Sequence, residues 1–253
     1  MLDPAFLRAP LAHRALHDVT RGRPENSRAA IRAAIAAGYG IEIDLQLSAD
    51  GQAMVFHDYS LDRLTGARGA LRTRSAAELS GIALRHGDEG IPGFREVLGL
   101  VAGQVPLLVE LKDQDGAMGA DVGPLERAAA DAARDYPGAL AFMSFNPHSV
   151  ACMGELAPGT ARGLVSDHFA ADDWPLLPET TRRRLRAIPD YDRVGACFIS
   201  HNATDLQSPR VGALKAAGAA VLCWTVRTPK EEAVARRIAD NVTFEGYRAE
   251  IAA

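Results

Sequence analysis

The sequence predicts an α/β protein, a (β/α)8 TIM barrel with an irregularity between its second and third strands. Three observations carry that expectation. Short apolar runs alternate with amphipathic stretches of helical period along most of the chain. Eight such runs fit into 253 residues, a usual size for this barrel as one unit. Polar and charged side chains gather at or near the C-terminal ends of the runs, the rim at which (β/α)8 enzymes build their sites. An open doubly wound sheet is the main rival. With no internal repeat, low-complexity tract or linker, residues 1–253 are expected to form a single domain.

The expected strands are 11–15, 40–47, 53–57, 105–111, 139–145, 161–166, 196–200 and 220–226. Asn26 is the expected N-cap of a helix over Ser27 to Ala37, with Ile31 and Ile35 on its buried stripe and Gly38 as its stop. The second strand alternates strictly. Ile41, Ile43, Leu45 and Leu47 share one face, and Glu42 and Asp44 share the other, ~6.6 Å apart at a rise of ~3.3 Å per residue. Buried carboxylates are costly unless neutralised, so this pair needs a cation or water. Asp50-Gly51 is a two-residue hairpin signal that leaves no room for a crossover helix. Counting outward from it pairs residue 49 with 52 and Asp44 with His57, with Cβ atoms ~5 Å apart. Either the segment over 40–57 is an antiparallel ribbon at the rim, or the chain loops back before entering a third barrel strand. Further helices are expected near 124–135, 209–217 and 229–239. Residues 167–193, rich in Pro, Arg and Asp, read as a surface excursion with a short helix.

Composition narrows the function classes. A net charge of −4 offers no basic footprint, so nucleic acid is not an expected partner. No apolar run is long enough for a membrane span, and the N-terminus lacks the basic and apolar pattern of a leader, so a cytoplasmic protein without stable membrane insertion is expected. Cys152, Cys197 and Cys223 are an odd set without close spacing, consistent with reduced, mostly buried thiols.

The chemistry-bearing residues lie at strand ends. In the run ending Glu110-Leu111-Lys112, alternation turns a third carboxylate and a cation inward beside Glu42 and Asp44. Such an oxygen-only set suits a hard divalent cation, Mg²⁺ or Ca²⁺, better than Zn²⁺. The competing reading is a metal-free ion-pair cluster neutralised by Arg14 and Lys112. His13 and His57 come from different strands and would flank the site as acid and base, because imidazole titrates near neutral pH. His17, His86, His148 and His168 lack such company, and His201 stays open. Arg14 and Lys112 suit a phosphate oxygen, which makes an anionic substrate the expected one. Trp224 either lines the pocket or fills the barrel. Lys112 also admits a Schiff-base enzyme, although the neighbouring carboxylates would keep it protonated.

Several short stretches, in order over nearly the whole chain, carry a resemblance. They are His13-Arg14, Pro24-Glu25-Asn26-Ser27, Glu42-Ile43-Asp44, Asp50-Gly51, His57-Asp58, Leu61 to Gly66, Ala77-Glu78-Leu79, Ile91-Pro92, Glu96-Val97-Leu98, Glu110-Leu111-Lys112, Ser144-Phe145 and Trp224-Thr225-Val226. Together they resemble the glycerophosphodiester phosphodiesterase family. The resemblance implies a (β/α)8 barrel and a divalent metal on Glu42, Asp44 and Glu110. It also implies His13 and His57 as the acid and base pair, with Arg14 and Lys112 on the phosphate. The implied reaction is hydrolysis of a small glycerophosphodiester to sn-glycerol 3-phosphate and an alcohol. Alternatives are lysophospholipase D-like or cyclic-phosphate hydrolysis, or non-catalytic phosphoester binding.

The chain departs from the family pattern at the rim. Ala15 stands where a Gly is usual, Gly93-Phe94 where Thr-Leu is usual, and Arg227 where an Asn follows Trp-Thr-Val. Asn241 to Gly246 replaces a Thr-Asp-Pro pattern. These changes touch the place where the alcohol would bind and leave the head group open. The segment Tyr59 to Gly93 is too short for the larger glycerol-binding insertion of some relatives and shows no separate core in its sequence.

Overall fold

The computed structural model describes residues 1–251. Its strands are β1 Leu11–Ala12, β2 Gly40–Leu47, β3 Ala53–Val55, β4 Leu107–Leu111, β5 Leu140–Ser144, β6 Ala161–Ser166, β7 Phe198–Asn202, β8 Ala220–Val226 and β9 Asn241–Phe244. Its helices are α1 Arg28–Ala37, α2 Ala76–Ser80, α3 Phe94–Val101, α4 Pro124–Ala133, α5 Pro147–Leu156, α6 Glu179–Arg186, α7 Pro209–Ala216 and α8 Pro229–Ala235. Among the described residues, all strands but β3 pair in parallel in the order β1-β9-β8-β7-β6-β5-β4-β2, and β1 pairs with β2 to close an eight-stranded barrel.

The expected count of eight was right, but one member was wrong. Residues 53–57 do not form a barrel strand: β3 is an antiparallel partner of β2 outside the ring. The missing barrel strand is β9, which expectation passed over because Asn241-Val242-Thr243-Phe244 is short and half polar. The hairpin is therefore the ribbon alternative, with its register one residue from the count. Leu45 pairs with Val55, and the loop contains Ala49, Asp50 and a left-handed Gly51 (φ +75°), closed by Ser48 N–H donating to the Gln52 carbonyl at 2.9 Å. Asp44 consequently stands opposite Phe56, whose N–H donates to the Asp44 carbonyl at 2.9 Å, and not opposite His57. Strand β1 is also shorter than expected. Arg14 and Ala15 leave it in left-handed conformation, φ +51° and +63°.

The alternation of β2 sorts two cores. Ile41, Ile43 and Leu45 face outward into the layer shared with Ile31, Val97, Val101 and Leu107. Inside the barrel, Leu11, Leu108, Met143, Val165, Phe198 and Leu222 pack together over Leu2 and Phe6, which plug the N-terminal end. Gly40 and Gly163 keep this interior closed: a Cβ would come within 2.5 Å of Leu11 Cδ2 and of Phe198 Cδ2, respectively.

Two local readings are corrected. Ser27 caps α1, its hydroxyl accepting from Ala30 N–H at 3.1 Å, while Asn26 turns elsewhere. The segment after β3 does carry a small core, built by Met54, Phe56, Leu61, Leu71, Leu79, Leu84 and Ile91. Those residues are spaced too irregularly for a helix or strand period, so they gave no signal. The expected excursion over 167–193 is present and contains α6. Cys223 is buried, which pushes its thiol up to about 12, and Cys152 and Cys197 are half-buried. No described helix is long and apolar enough to cross a membrane.

Candidate active site

The parallel register of β2 and β4 sets Asp44 beside Glu110, and alternation aims Glu42 the same way. Ligand oxygens of Glu42, Asp44 and Glu110 all lie within 4.8 Å of one another, and the residues are 2%, 1% and 7% exposed. Lys112 Nζ donates to Asp44 Oδ1 at 2.7 Å and to Glu110 Oε1 at 2.8 Å. Arg14 contributes twice, its N–H donating to Glu42 Oε2 at 2.9 Å and its Nε lying 3.7 Å from Asp44 Oδ2. Asn26 Nδ2 donates to Asp44 Oδ2 at 2.9 Å, which is where its side chain goes instead of capping α1.

These contacts split the carboxylates electrostatically. Burial alone would raise Asp44, but Lys112, His57 and Arg14 outweigh it and hold its carboxyl well below the usual range. Glu42 is pushed well above that range by burial and by its neighbours Asp44 and Glu110. Three carboxylates thus face two fixed cations, and the uncompensated charge falls on Glu42. A hard divalent cation among these oxygens would remove that imbalance, so the donor set fits such a cation. Burial would lower Lys112, but Asp44 and Glu110 keep it above its ordinary value and therefore protonated. The two carboxylates on its Nζ therefore argue against the Schiff-base reading.

His13 and His57 both line the same cavity, of about 150 Å³. His13 Nδ1 lies 2.7 Å from Glu245 Oε2, and His57 Nδ1 lies 2.7 Å from Asp58 Oδ1. An ionised carboxylate only accepts, so each ring carries hydrogen on Nδ1 and is left with Nε2 for other chemistry. Burial lowers His13, partly offset by its bond to Glu245. Asp58 is held by Arg63 through two bonds of 2.7 Å; Arg63 also binds Glu25, and Glu25 accepts from Arg14 at 2.8 Å.

The opposite wall is apolar, with Met143, Phe145, Val165 and Trp224. The Trp224 ring meets Phe145 edge-on at 5.5 Å, and its Nε1 donates to the Ser200 carbonyl at 3.0 Å, so Trp224 both lines the pocket and belongs to the packing. Ser200 Oγ and Thr243 Oγ1 are buried at this cavity without a protein partner. His201 belongs elsewhere. It bonds Ser166 Oγ at 2.8 Å and Asp205 at 3.2 Å, is 1% exposed, and the void beside Ser166 is only about 10 Å³. That Ser-His-Asp arrangement lies outside the cavity that His13 and His57 share.

The sequence profile of the glycerophosphoryl diester phosphodiesterase family matches residues 13–243. The chain belongs to that family. Among curated glycerophosphodiester phosphodiesterases, one from Caldanaerobacter subterraneus is 29% identical over 161 residues, 60% of this chain and 65% of that one, just under two thirds of its length. A solved Oleispira antarctica phosphodiesterase, in complex with the product sn-glycerol-3-phosphate, aligns with a TM-score of 0.73 and 25% identity over 95% of this chain and 94% of that chain. A glycerophosphodiester phosphodiesterase from Thermotoga maritima shares the fold, with a TM-score of 0.68 and 22% identity over 93% and 94% of the two chains.

Every site residue expected from the sequence of this phosphodiesterase-family chain reaches one mouth: His13, Arg14, Glu42, Asp44, His57, Glu110, Lys112 and Trp224. Those not anticipated in a site role support or line it. Asn26 reads in sequence as a helix cap, and its signal as a site residue is its place in Pro24-Glu25-Asn26-Ser27. Asp58 sat in plain view next to His57. Glu245 and Thr243 stand out in sequence only as part of the departure over Asn241 to Gly246, which assigns them no role while β9 is unrecognised, and Ser200 carries no signal because a hydroxyl in a strand looks like any other.

Proposed function

We propose that this chain hydrolyses glycerophosphodiesters to sn-glycerol 3-phosphate and an alcohol with a divalent cation, Mg²⁺ or Ca²⁺, on Glu42, Asp44 and Glu110. The observation that carries the reading is the convergence, on one small cavity, of a buried carboxylate cluster and two histidines that each keep Nε2 free. The cation would supply Lewis-acid polarisation of a phosphoryl oxygen. Arg14 and Lys112 offset the negative charge that develops on the phosphorus substituents. One histidine Nε2 takes the proton of the attacking oxygen, and the other, protonated, returns a proton to the leaving alkoxide as the P–O bond breaks. Each transfer is worth ~10²–10⁴ in rate. When water attacks, the products form directly; when the glycerol 2-hydroxyl attacks, a cyclic phosphate forms first and is then opened by water. Ser200 and Thr243 offer free hydroxyls to the glycerol end.

Dialysis against EDTA should abolish hydrolysis of glycerophosphocholine, and Mg²⁺ or Ca²⁺ should restore it. Undiminished turnover in EDTA would remove the metal from the reading. The apolar wall of Met143, Phe145, Val165 and Trp224 favours a second reading, in which the alcohol or glycerol side carries an acyl chain. A comparison of lysophosphatidylcholine with glycerophosphocholine decides between them by kcat/KM.

A further inference from the structure

Strand ends β8, β9 and β1 lie side by side, and their register lines up three residues that sequence order separates widely. Ala12 pairs with Phe244 and Val226 pairs with Phe244, so the next residue of each strand, His13, Glu245 and Arg227, falls in one row. His13 N–H donates to the Phe244 carbonyl at 2.9 Å, and Glu245 N–H to the Val226 carbonyl at 3.0 Å, which fixes that row through the backbone. Side-chain contacts complete it. Glu245 Oε2 accepts from His13 Nδ1 at 2.7 Å, and Glu245 Oε1 forms an ion pair with Arg227, 2.8 Å from its Nη2. His17 Nε2 stands 3.5 Å from the same Oε2. Glu245 lines an outer groove with His17, Arg23 and Tyr247 and does not line the cavity, so it reaches His13 from behind. Both Arg227 and Glu245 fall at departures from the pattern of the family the sequence resembles.

We propose that Glu245, itself held by Arg227, is a positioning residue that fixes the ring orientation and the Nδ1–H tautomer of His13 and so presents Nε2 to the cavity. The catalytic part of this inference rests on the function proposed above, whereas the orientation of His13 does not. Carboxylates bonded to the far nitrogen of a working imidazole act this way in general, and losing the corresponding partner of a metal-bound imidazole costs ~10–100-fold. The geometry makes a further demand. A carboxylate can serve His13 and Arg227 with one oxygen each, whereas an amide has a single oxygen for two donors.

The experiment combines ¹⁵N-histidine NMR of the Mg²⁺-supplemented protein with steady-state kinetics on glycerophosphocholine. Glu245→Ala is expected to lose the Nδ1–H signature of His13 and to lower kcat by ~10–100-fold with little change in KM. Glu245→Gln should fall between, because Arg227 competes for the amide oxygen. Adding Arg227→Met to Glu245→Gln should release that oxygen to His13 and recover part of kcat, a rescue that a merely structural role would not give. Glu245→Ala with wild-type kcat and an unchanged His13 spectrum overturns the proposal. If the wild-type protein does not turn over the diester while Glu245→Ala still shifts the His13 signals, the positioning stands and the catalytic reading fails. If neither occurs, both fail.

Discussion

His13 and His57 face one cavity with the same kind of backing, a carboxylate on Nδ1 and an arginine behind the carboxylate, yet the two supports are built at opposite sequence ranges. His57 and Asp58 are adjacent, and Arg63 follows five positions after Asp58. His13 and Glu245 are 232 positions apart, joined only because β9 closes the barrel against β1. The endings of the two chains of contacts also differ. Arg63 grips Asp58 through two bonds and continues through Glu25 to Arg14 at the carboxylate cluster. Arg227 makes one ion pair with Glu245, and its side chain is 61% exposed. The local support thus returns through Glu25 to the carboxylate cluster, whereas the distant one ends at Arg227 on the cavity rim and depends on barrel closure. The same residue types are anchored differently according to what lies behind them.

The largest expected effects test whether the two histidines are equals. His13→Ala and His57→Ala should each lower kcat by ~10²–10⁴ on glycerophosphocholine, since each removes one proton transfer. If one variant keeps wild-type kcat, the symmetric acid and base arrangement is broken. Next come the supports. Asp58→Ala should cost ~10–100-fold in kcat and should also lower the melting temperature, because it leaves Arg63 half-satisfied. Glu245→Ala should show the kinetic loss with a smaller thermal effect, because Arg227 can turn to water. Equal thermal losses would contradict the contrast between a support bonded on through Glu25 and one that ends in a single ion pair.

A smaller effect concerns pH and separates the site from the closed His201 cluster. Burial lowers His13 and His201 below the ordinary histidine value. For a histidine lowered by folding, the unfolded chain binds protons first, so stability rises with pH through the window below ~6.5 and falls as pH drops through it. Melting temperature should therefore decrease between pH 7.5 and 5, and His201→Gln should flatten part of that slope while leaving kcat near wild type. A steep loss of kcat in His201→Gln would draw His201 into the mechanism. The smallest effect lies on the His13 side. Ala15 is left-handed at φ +63°, a conformation costing an L-residue roughly 1–2 kcal/mol, and it is buried at 2% exposure. Ala15→Gly should relieve that strain and lose a methyl contact, for a net stabilisation of no more than about 1 kcal/mol in chemical denaturation.

Local chemistry made much of this protein legible. Alternation in Gly40–Leu47 assigned Glu42 and Asp44 to one face, and the same alternation supplied Glu110 and Lys112. Gly38 marked the end of α1 because only its left-handed conformation was needed there. Less was legible where a residue's partner is distant. The hairpin register slipped by one because Asp50-Gly51 identifies a turn without stating whether the loop holds two residues or three. Strand β9 was missed because four half-polar residues become a strand only when β8 and β1 supply hydrogen bonds on both sides.

The sequence by itself determined the alternating elements, the barrel class and the identities of the charged residues at the mouth, because periodicity and turn chemistry act within a few residues. Only the tertiary structure decided which strand closes the ring, that Asn26 serves Asp44 and not α1, and that Glu245 meets His13. Those are register relations between strands, and their energy comes from hydrogen bonds and charge contacts that do not exist until distant parts of the chain are side by side.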